Sequence, residues 1–208
     1  MVPEFVKATR GGLITFHGPG QVVIYPTFSL DKPSSFQEKI TPRCYVSLLE
    51  ATTISLLKKF GIEGFRTKDP GVWVNSKTGS VKNEGQSAPM LKPLPEDEKT
   101  EEKKIAALGV HLRRNVTSYG VGLNVSTDLR WFDRITACGI EGKGVTSISK
   151  EAGVGFGTVE EEMRGNKVVA ESWVLEFARE VKAEVVQVTE GQILEQLGFA
   201  KWVPKEEK

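Results

Sequence analysis

Cysteine and histidine are scarce in this 208-residue chain, with two of each. Cys44 and Cys138 are too few for a disulfide framework and have neither CxxC nor mixed Cys/His spacing, so no zinc site and no disulfide scaffold are expected. Charge of one sign is lacking as well. Lys and Arg number 28 against 27 for Asp and Glu, a formal net charge of +1, which removes the bulk attraction behind non-specific nucleic-acid binding. Any charged partner must be met by a local patch. No run of 18 or more apolar residues exists, so no membrane-spanning helix is expected. The opening, MVPEFVKATR, has neither the apolar stretch of a secretory signal nor the Arg/Ser-rich character of a transit peptide. The phosphate loop GxxxxGK(S/T) and a GxGxxG leading into a helix are also missing. The scarcity of cysteine reads as an intracellular, non-metallic protein, and the opening carries no readable address.

What is present is ordinary globular composition, 39% hydrophobic and 26% charged, read as one domain over 1-208. Residues 22 to 30, VVIYPTFSL, are β-branched and aromatic and predict a strand ending near Leu30, with Pro26 confining it to an edge or bulge. Thr41-Pro42 opens a helix to about Phe60, with an apolar stripe at Val46, Leu49, Thr53, Leu56, Leu57 and Phe60 and a stop at Gly61. GVWV from Gly71 reads as a strand. Residues 75-103 are rich in Lys, Glu, Pro, Gly and Ser and read as a disordered insertion. KIAALGVHLRR and YGVGLNV pair as a hairpin around a turn at NVTS. Thr146 is the expected cap of a short helix. Thr158 to Glu161 has capping-box spacing and opens a longer helix that Gly165-Asn166 interrupts, and a last helix starts at Thr189. Strands followed by segregated helices predict an α+β fold.

Three features carry chemistry. The segment RGGLITFHGPGQ, Arg10 to Gln21, combines glycines that let backbone approach a ligand with an arginine and a histidine; it reads equally well as a tight strand connection. Cys138 lies in a glycine-bearing loop where a substrate carbonyl can approach, although most lone cysteines are small buried hydrophobes. Cys44, inside the first helix, reads as packing. With His17 and His111 the only histidines, a lysine can activate the thiol instead, and Lys104, before an apolar strand, is the candidate.

Four segments, RGGLITFHGPGQ, KIAALGVHLRR, GLNVSTDL and ITACGI, occur in an order and spacing that resembles the octanoyltransferases of lipoate biosynthesis, from about Arg10 to about Gly153. The insertion after GVWV and the long C-terminal part resemble a eukaryotic, fungal member, amino-terminally truncated. The resemblance implies a fold like that of biotin and lipoate protein ligases, class II synthetase-like, a mixed sheet flanked by helices. It implies transfer of an octanoyl group from octanoyl-acyl carrier protein to a lysine of lipoyl domains, those of 2-oxoacid dehydrogenase complexes and of the glycine cleavage H protein. Cys138 takes the place of the acyl-thioester nucleophile, and Lys104 that of the lysine that lowers its pKa. Substrate would be lined by Arg10, Gly11, Gly12, Leu13, Ile14, Thr15, Phe16 and His17, by Ala107, Leu108 and Gly109, and by Gly120, Val121 and Gly122. Because the donor is already a thioester, no ATP, metal or other cofactor is implied. Backbone N–H groups near Cys138 are expected to stabilise the oxyanion. A mitochondrial location follows from the resemblance alone.

The chain departs from the family at Tyr119, where a histidine is usual, at Ala137, where a proline is usual, and before Arg10, where a strand-helix-strand segment is expected. A sheet lacking its first strands would expose edges and lose stability. Lys103, Lys104, His111, Arg113 and Arg114 are the candidate docking patch for an acidic acyl carrier protein. Two other readings share these residues: an ATP-dependent lipoate or biotin ligase, and a catalytically crippled acyl-binding remnant.

Overall fold

A computed structural model of the chain describes residues 3-31, 39-77, 100-139, 142-188 and 192. The first strand, β1 (Gln21–Ile24), is shorter than its apolar run, because Pro26 follows at once and only an isolated bridge from Ser29 to Val116 continues the pairing. Helix α1 (Pro42–Lys58) begins as its sequence demands. The Thr41 hydroxyl accepts from the Cys44 N–H at 3.2 Å, and Pro42 occupies the first turn, where no N–H is needed. Tyr45, Leu49, Leu56 and Leu57 are completely buried along one face, while Cys44 is exposed, contrary to its reading as packing.

Strands β2 (Gly64–Phe65) and β3 (Val72–Lys77) lead to the long β4 (Thr100–Arg113), which forms a hairpin with β5 (Val116–Asn124). The turn is only Arg114-Asn115, with φ of 51° and 59°, the left-handed pair that matches strand twist, so Val116 to Ser118 are strand rather than turn. The insertion is also narrower than its composition suggests. Asn75 pairs with Glu102 and Ser76 with Glu101, so both ends of the 75-103 segment belong to the sheet, and 78-99 lie outside the described residues. After β6 (Gly144–Val145) come α2 (Ile148–Ala152) and α3 (Val159–Glu180). Ser147, not Thr146, caps α2. The Thr158/Glu161 capping box is formed, and Gly165 does not break α3; it seats the Phe156 ring, which would lie 2.3 Å from an added Cβ. The last expected helix falls almost entirely outside the described residues.

The sheet runs β1-β5-β4-β3-β2, antiparallel throughout, with β6 added parallel to β4. One face takes α1 and α3, which join where the Trp173 indole N–H donates to the Thr53 hydroxyl at 2.9 Å. Val22, Ala106, Val121 and Leu123 point into this core. By strand alternation Ala107, Gly109, Gly120, Gly122 and Val23 point the other way. The opposite face is therefore paved with small residues at its centre.

A register shift sets the position of Lys104. Val72 pairs with Ala106 and the next residue, Trp73, with Lys104, so Ile105 is an extra residue in β4. Ile105 and Ala106 consequently both enter the core, and Lys104 moves to the face that Ala107 and Gly109 share.

Candidate active site

Segment 9-17 crosses the paved face. β4 beyond Ala106 has lost β3 as a neighbour, and the segment covers its edge instead, with the Gly11 N–H donating to Val110 O at 2.9 Å and His111 Nδ1 bonding Thr9 O at 3.0 Å. Such an approach needs glycine beneath it: a Cβ on Gly109 would stand 2.6 Å from Arg10 Cδ and 3.0 Å from Gly11 O. Arg10 then folds back, its guanidinium donating to the carbonyls of Gly11 and Leu13 at 3.2 Å each. The far end is anchored by aromatics. Phe16 stacks on Trp131 at 5.6 Å and meets Phe132 edge-on at 5.6 Å, fixing the segment to the turn that leads into the cysteine loop.

Cys138 sits in that loop with φ 56° and ψ 17°, the left-handed region that costs a non-glycine residue about 1–2 kcal/mol. Its N–H donates to Ile14 O at 2.7 Å, and the Gly139 N–H donates to Thr136 O at 2.9 Å. Both N–H groups nearest the thiol are thus engaged, so the expected oxyanion donors are not free in this conformation. The thiol-bearing residue is half-buried and lines a small, open cavity of about 30 Å³ with Arg10, Gly12, Leu13, Thr15, His17, Ala107, Leu108, Gly109, Gly120, Val121 and Gly122. Three of the residues expected to line substrate do other work. Gly11 covers the β4 edge, Ile14 holds Cys138, and Phe16 anchors the loop.

The cavity also takes Val23, Tyr25 and Tyr119, which the sequence reading did not place there. Period-two alternation in VVIY would have found Val23 and Tyr25, since Val22 is core. Tyr119 has φ 60° in mid-strand, and its ring packs edge-on against Tyr25 at 5.5 Å instead of following Val121 inward. Hydrogen bonding to Thr9 holds the phenol below its ordinary pKa.

Lys104 does not line this cavity. Its buried side chain lies on the same sheet face but beneath Trp73, with the amine 4.7 Å from the ring centroid and donating to Pro70 O at 3.0 Å. Lys143 approaches the same ring at 4.6 Å and pairs with Glu102 at 2.7 Å. The proposed basic patch is therefore divided. Lys104 is buried near one end of β4, whereas exposed Arg113 and Arg114 stand at the hairpin tip, about 30 Å away along the strand. Among the described residues, no group of three metal-ligating side chains exists and no helix is long and apolar enough to cross a membrane.

The chain matches the family described as the lipoyl protein ligase A/B catalytic domain over residues 3-168. It is 47% identical over 152 residues to the Schizosaccharomyces pombe protein named probable octanoyltransferase, covering 73% of this chain and 55% of that protein. It is 42% identical over 148 residues to the mitochondrial octanoyl-acyl-carrier-protein:protein N-octanoyltransferase of Danio rerio, covering 71% and 52%. Against the mitochondrial octanoyltransferase of Saccharomyces cerevisiae the values are 35% over 159 residues, 72% and 40%. The chain thus spans about half the length of the curated relatives it matches. In fold it is similar to a lipoate-protein ligase A crystallised with ATP, with a TM-score of 0.52 at 14% identity, covering 93% of this chain and 66% of that one.

Proposed function

This chain belongs to the lipoyl protein ligase A/B catalytic-domain family, and from that membership we propose that it is the catalytic part of an octanoyltransferase working through a thioester on Cys138. The observation that carries the reading is the cysteine itself, held in a left-handed turn at a cavity whose wall is apolar and whose floor is nearly bare backbone. An acyl chain needs such a floor. Leu13 and Val23 supply apolar contact, and the small residues of β4 and β5 form the floor along which the methylenes would lie.

In the first step the Cys138 thiolate adds to the carbonyl carbon of octanoyl-acyl carrier protein, and the carrier thiolate leaves with the electron pair of the broken C–S bond. One thioester replaces another of similar energy. In the second, a lysine amine of a lipoyl domain attacks the enzyme thioester and forms an amide, which is downhill without a nucleotide. Lys104 is assigned the charge that favours the thiolate. That role requires its amine to leave Pro70 O for the thiol side.

The proposed acceptors are lipoyl domains of 2-oxoacid dehydrogenase complexes and of the glycine cleavage H protein; the proposed site of action is the mitochondrion, the location given in the names of the Danio rerio and Saccharomyces cerevisiae relatives for those proteins. The test is octanoylation of an isolated lipoyl domain by the purified chain and octanoyl-acyl carrier protein, with ATP omitted. Transfer abolished by Cys138→Ser and reduced by Lys104→Ala supports the reading. Transfer that needs ATP and free octanoate, and survives Cys138→Ser, assigns the chain to the ligase chemistry instead.

A further inference from the structure

Three side-chain amide and imidazole groups form a directional chain beside the cavity. The Asn124 amide nitrogen donates to the backbone carbonyl of Thr146 at 3.0 Å, which only an NH₂ can do, so its oxygen must face the other way. That oxygen accepts from Gln21 Nε2 at 2.8 Å, and the same Nε2 donates to Phe16 O at 3.2 Å. The Gln21 orientation is therefore fixed too, leaving Oε1 as an acceptor 2.6 Å from His17 Nδ1. A carbonyl oxygen cannot donate, so the neutral imidazole must carry its proton on Nδ1. Nε2 is then the ring's acceptor, and it makes no hydrogen bond among the described residues. His17 lies against the bare backbone of Gly122, whose added Cβ would meet His17 Cε1 at 3.2 Å, and it lines the cavity that Cys138 lines.

We propose that Gln21 and Asn124 are positioning residues that hold His17 as its Nδ1–H tautomer, so that its Nε2 accepts a proton from the lysine amine displacing Cys138. The inference rests on the acyl-transfer reading and concerns only its second step. The amine lone pair forms the C–N bond to the thioester carbonyl carbon, an amine proton passes to His17 Nε2, and the C–S bond breaks with its electron pair on Cys138 Sγ. The imidazolium then returns the proton to the thiolate, restoring both groups. Lys104, drawn toward Pro70, is left to its electrostatic role in the first step.

The first test needs no variant. Nitrogen spectra of the whole chain labelled at histidine, recorded where imidazoles are neutral and assigned with His111→Asn, are expected to place the His17 proton on Nδ1. A proton on Nε2 overturns the proposal. In single-turnover assays, His17→Ala is expected to slow discharge of octanoyl-Cys138 to a lipoyl domain about 100-fold, a much larger loss than it causes in octanoylation of Cys138 by the carrier protein. Gln21→Leu is expected to mix the two tautomers and to slow the same step at unchanged KM. If Cys138 becomes octanoylated and His17→Ala discharges at the wild-type rate, the inference fails and the acyl-transfer reading stands; if Cys138 is never octanoylated, the acyl-transfer reading itself has failed.

Discussion

Replacing Gly109 with alanine sets two opposing effects against each other at the point where segment 9-17 crosses the sheet. Alanine in mid-strand should help by reducing the freedom of the unfolded chain, a gain of about 0.5–1 kcal/mol. The new Cβ, however, would stand 2.6 Å from Arg10 Cδ and 3.0 Å from Gly11 O, and the backbone oxygen cannot rotate away. Forcing such a contact costs about 1–3 kcal/mol. The steric term wins, and Gly109→Ala should lose about 1–2 kcal/mol net, read as a urea midpoint lowered by about 0.5 M at unchanged slope. Relief by lifting the segment would strain Gly11 N–H to Val110 O and pull on Ile14, whose carbonyl holds Cys138. Acylation of Cys138 should therefore slow along with the loss of stability. Gly155→Ala, at a glycine with open space around its Cβ position, is the control and should change neither. A Gly109→Ala chain that is more stable than the wild type and acylates at the same rate would refute the close approach.

Thr53→Val keeps the shape of α1 but strands the Trp173 indole N–H in the core, and should cost about 1–3 kcal/mol in urea unfolding. Val23→Phe should shorten the acyl cavity and shift preference from octanoyl toward hexanoyl donors; each methylene excluded from apolar contact changes relative kcat/KM by about fourfold, since one is worth about 0.8 kcal/mol. Glu176 titrates low because the Lys59 ammonium pairs with it at 2.6 Å, with Arg179 adding to the effect. With its folded pKa depressed below the ordinary 4.5, its stabilisation is present above that value and is lost as pH falls through the depressed one. Glu176→Gln should thus weaken the protein at neutral pH and flatten its acid-unfolding limb.

Local chemistry was readable wherever one residue fixes its own surroundings. Thr41-Pro42 and the Thr158/Glu161 box start helices because their hydroxyls and carboxylate satisfy N–H groups nearby. Of the substrate-lining candidates, those on β4 and β5 could be placed by alternation once the hairpin was known. Other features depend on distant partners. Nothing in KKIAALG announces that Ile105 is an extra residue in the strand, and that single insertion decides whether Lys104 faces the core or the cavity side. Gln21 and Asn124 read as the tail of one motif and the middle of another; only β1 pairing with β5 at Gln21 opposite Asn124 makes them neighbours. The interruption expected at Gly165 failed for a similar reason, since the glycine answers to the Phe156 ring and not to its own helix.

Intact-protein mass spectrometry after mixing the purified chain with octanoyl-acyl carrier protein tests the central claim most directly. Acyl transfer through Cys138 predicts one octanoyl adduct, removed by neutral hydroxylamine and missing in Cys138→Ser. A folded chain that acquires no adduct, or one whose adduct persists in Cys138→Ser, would contradict it.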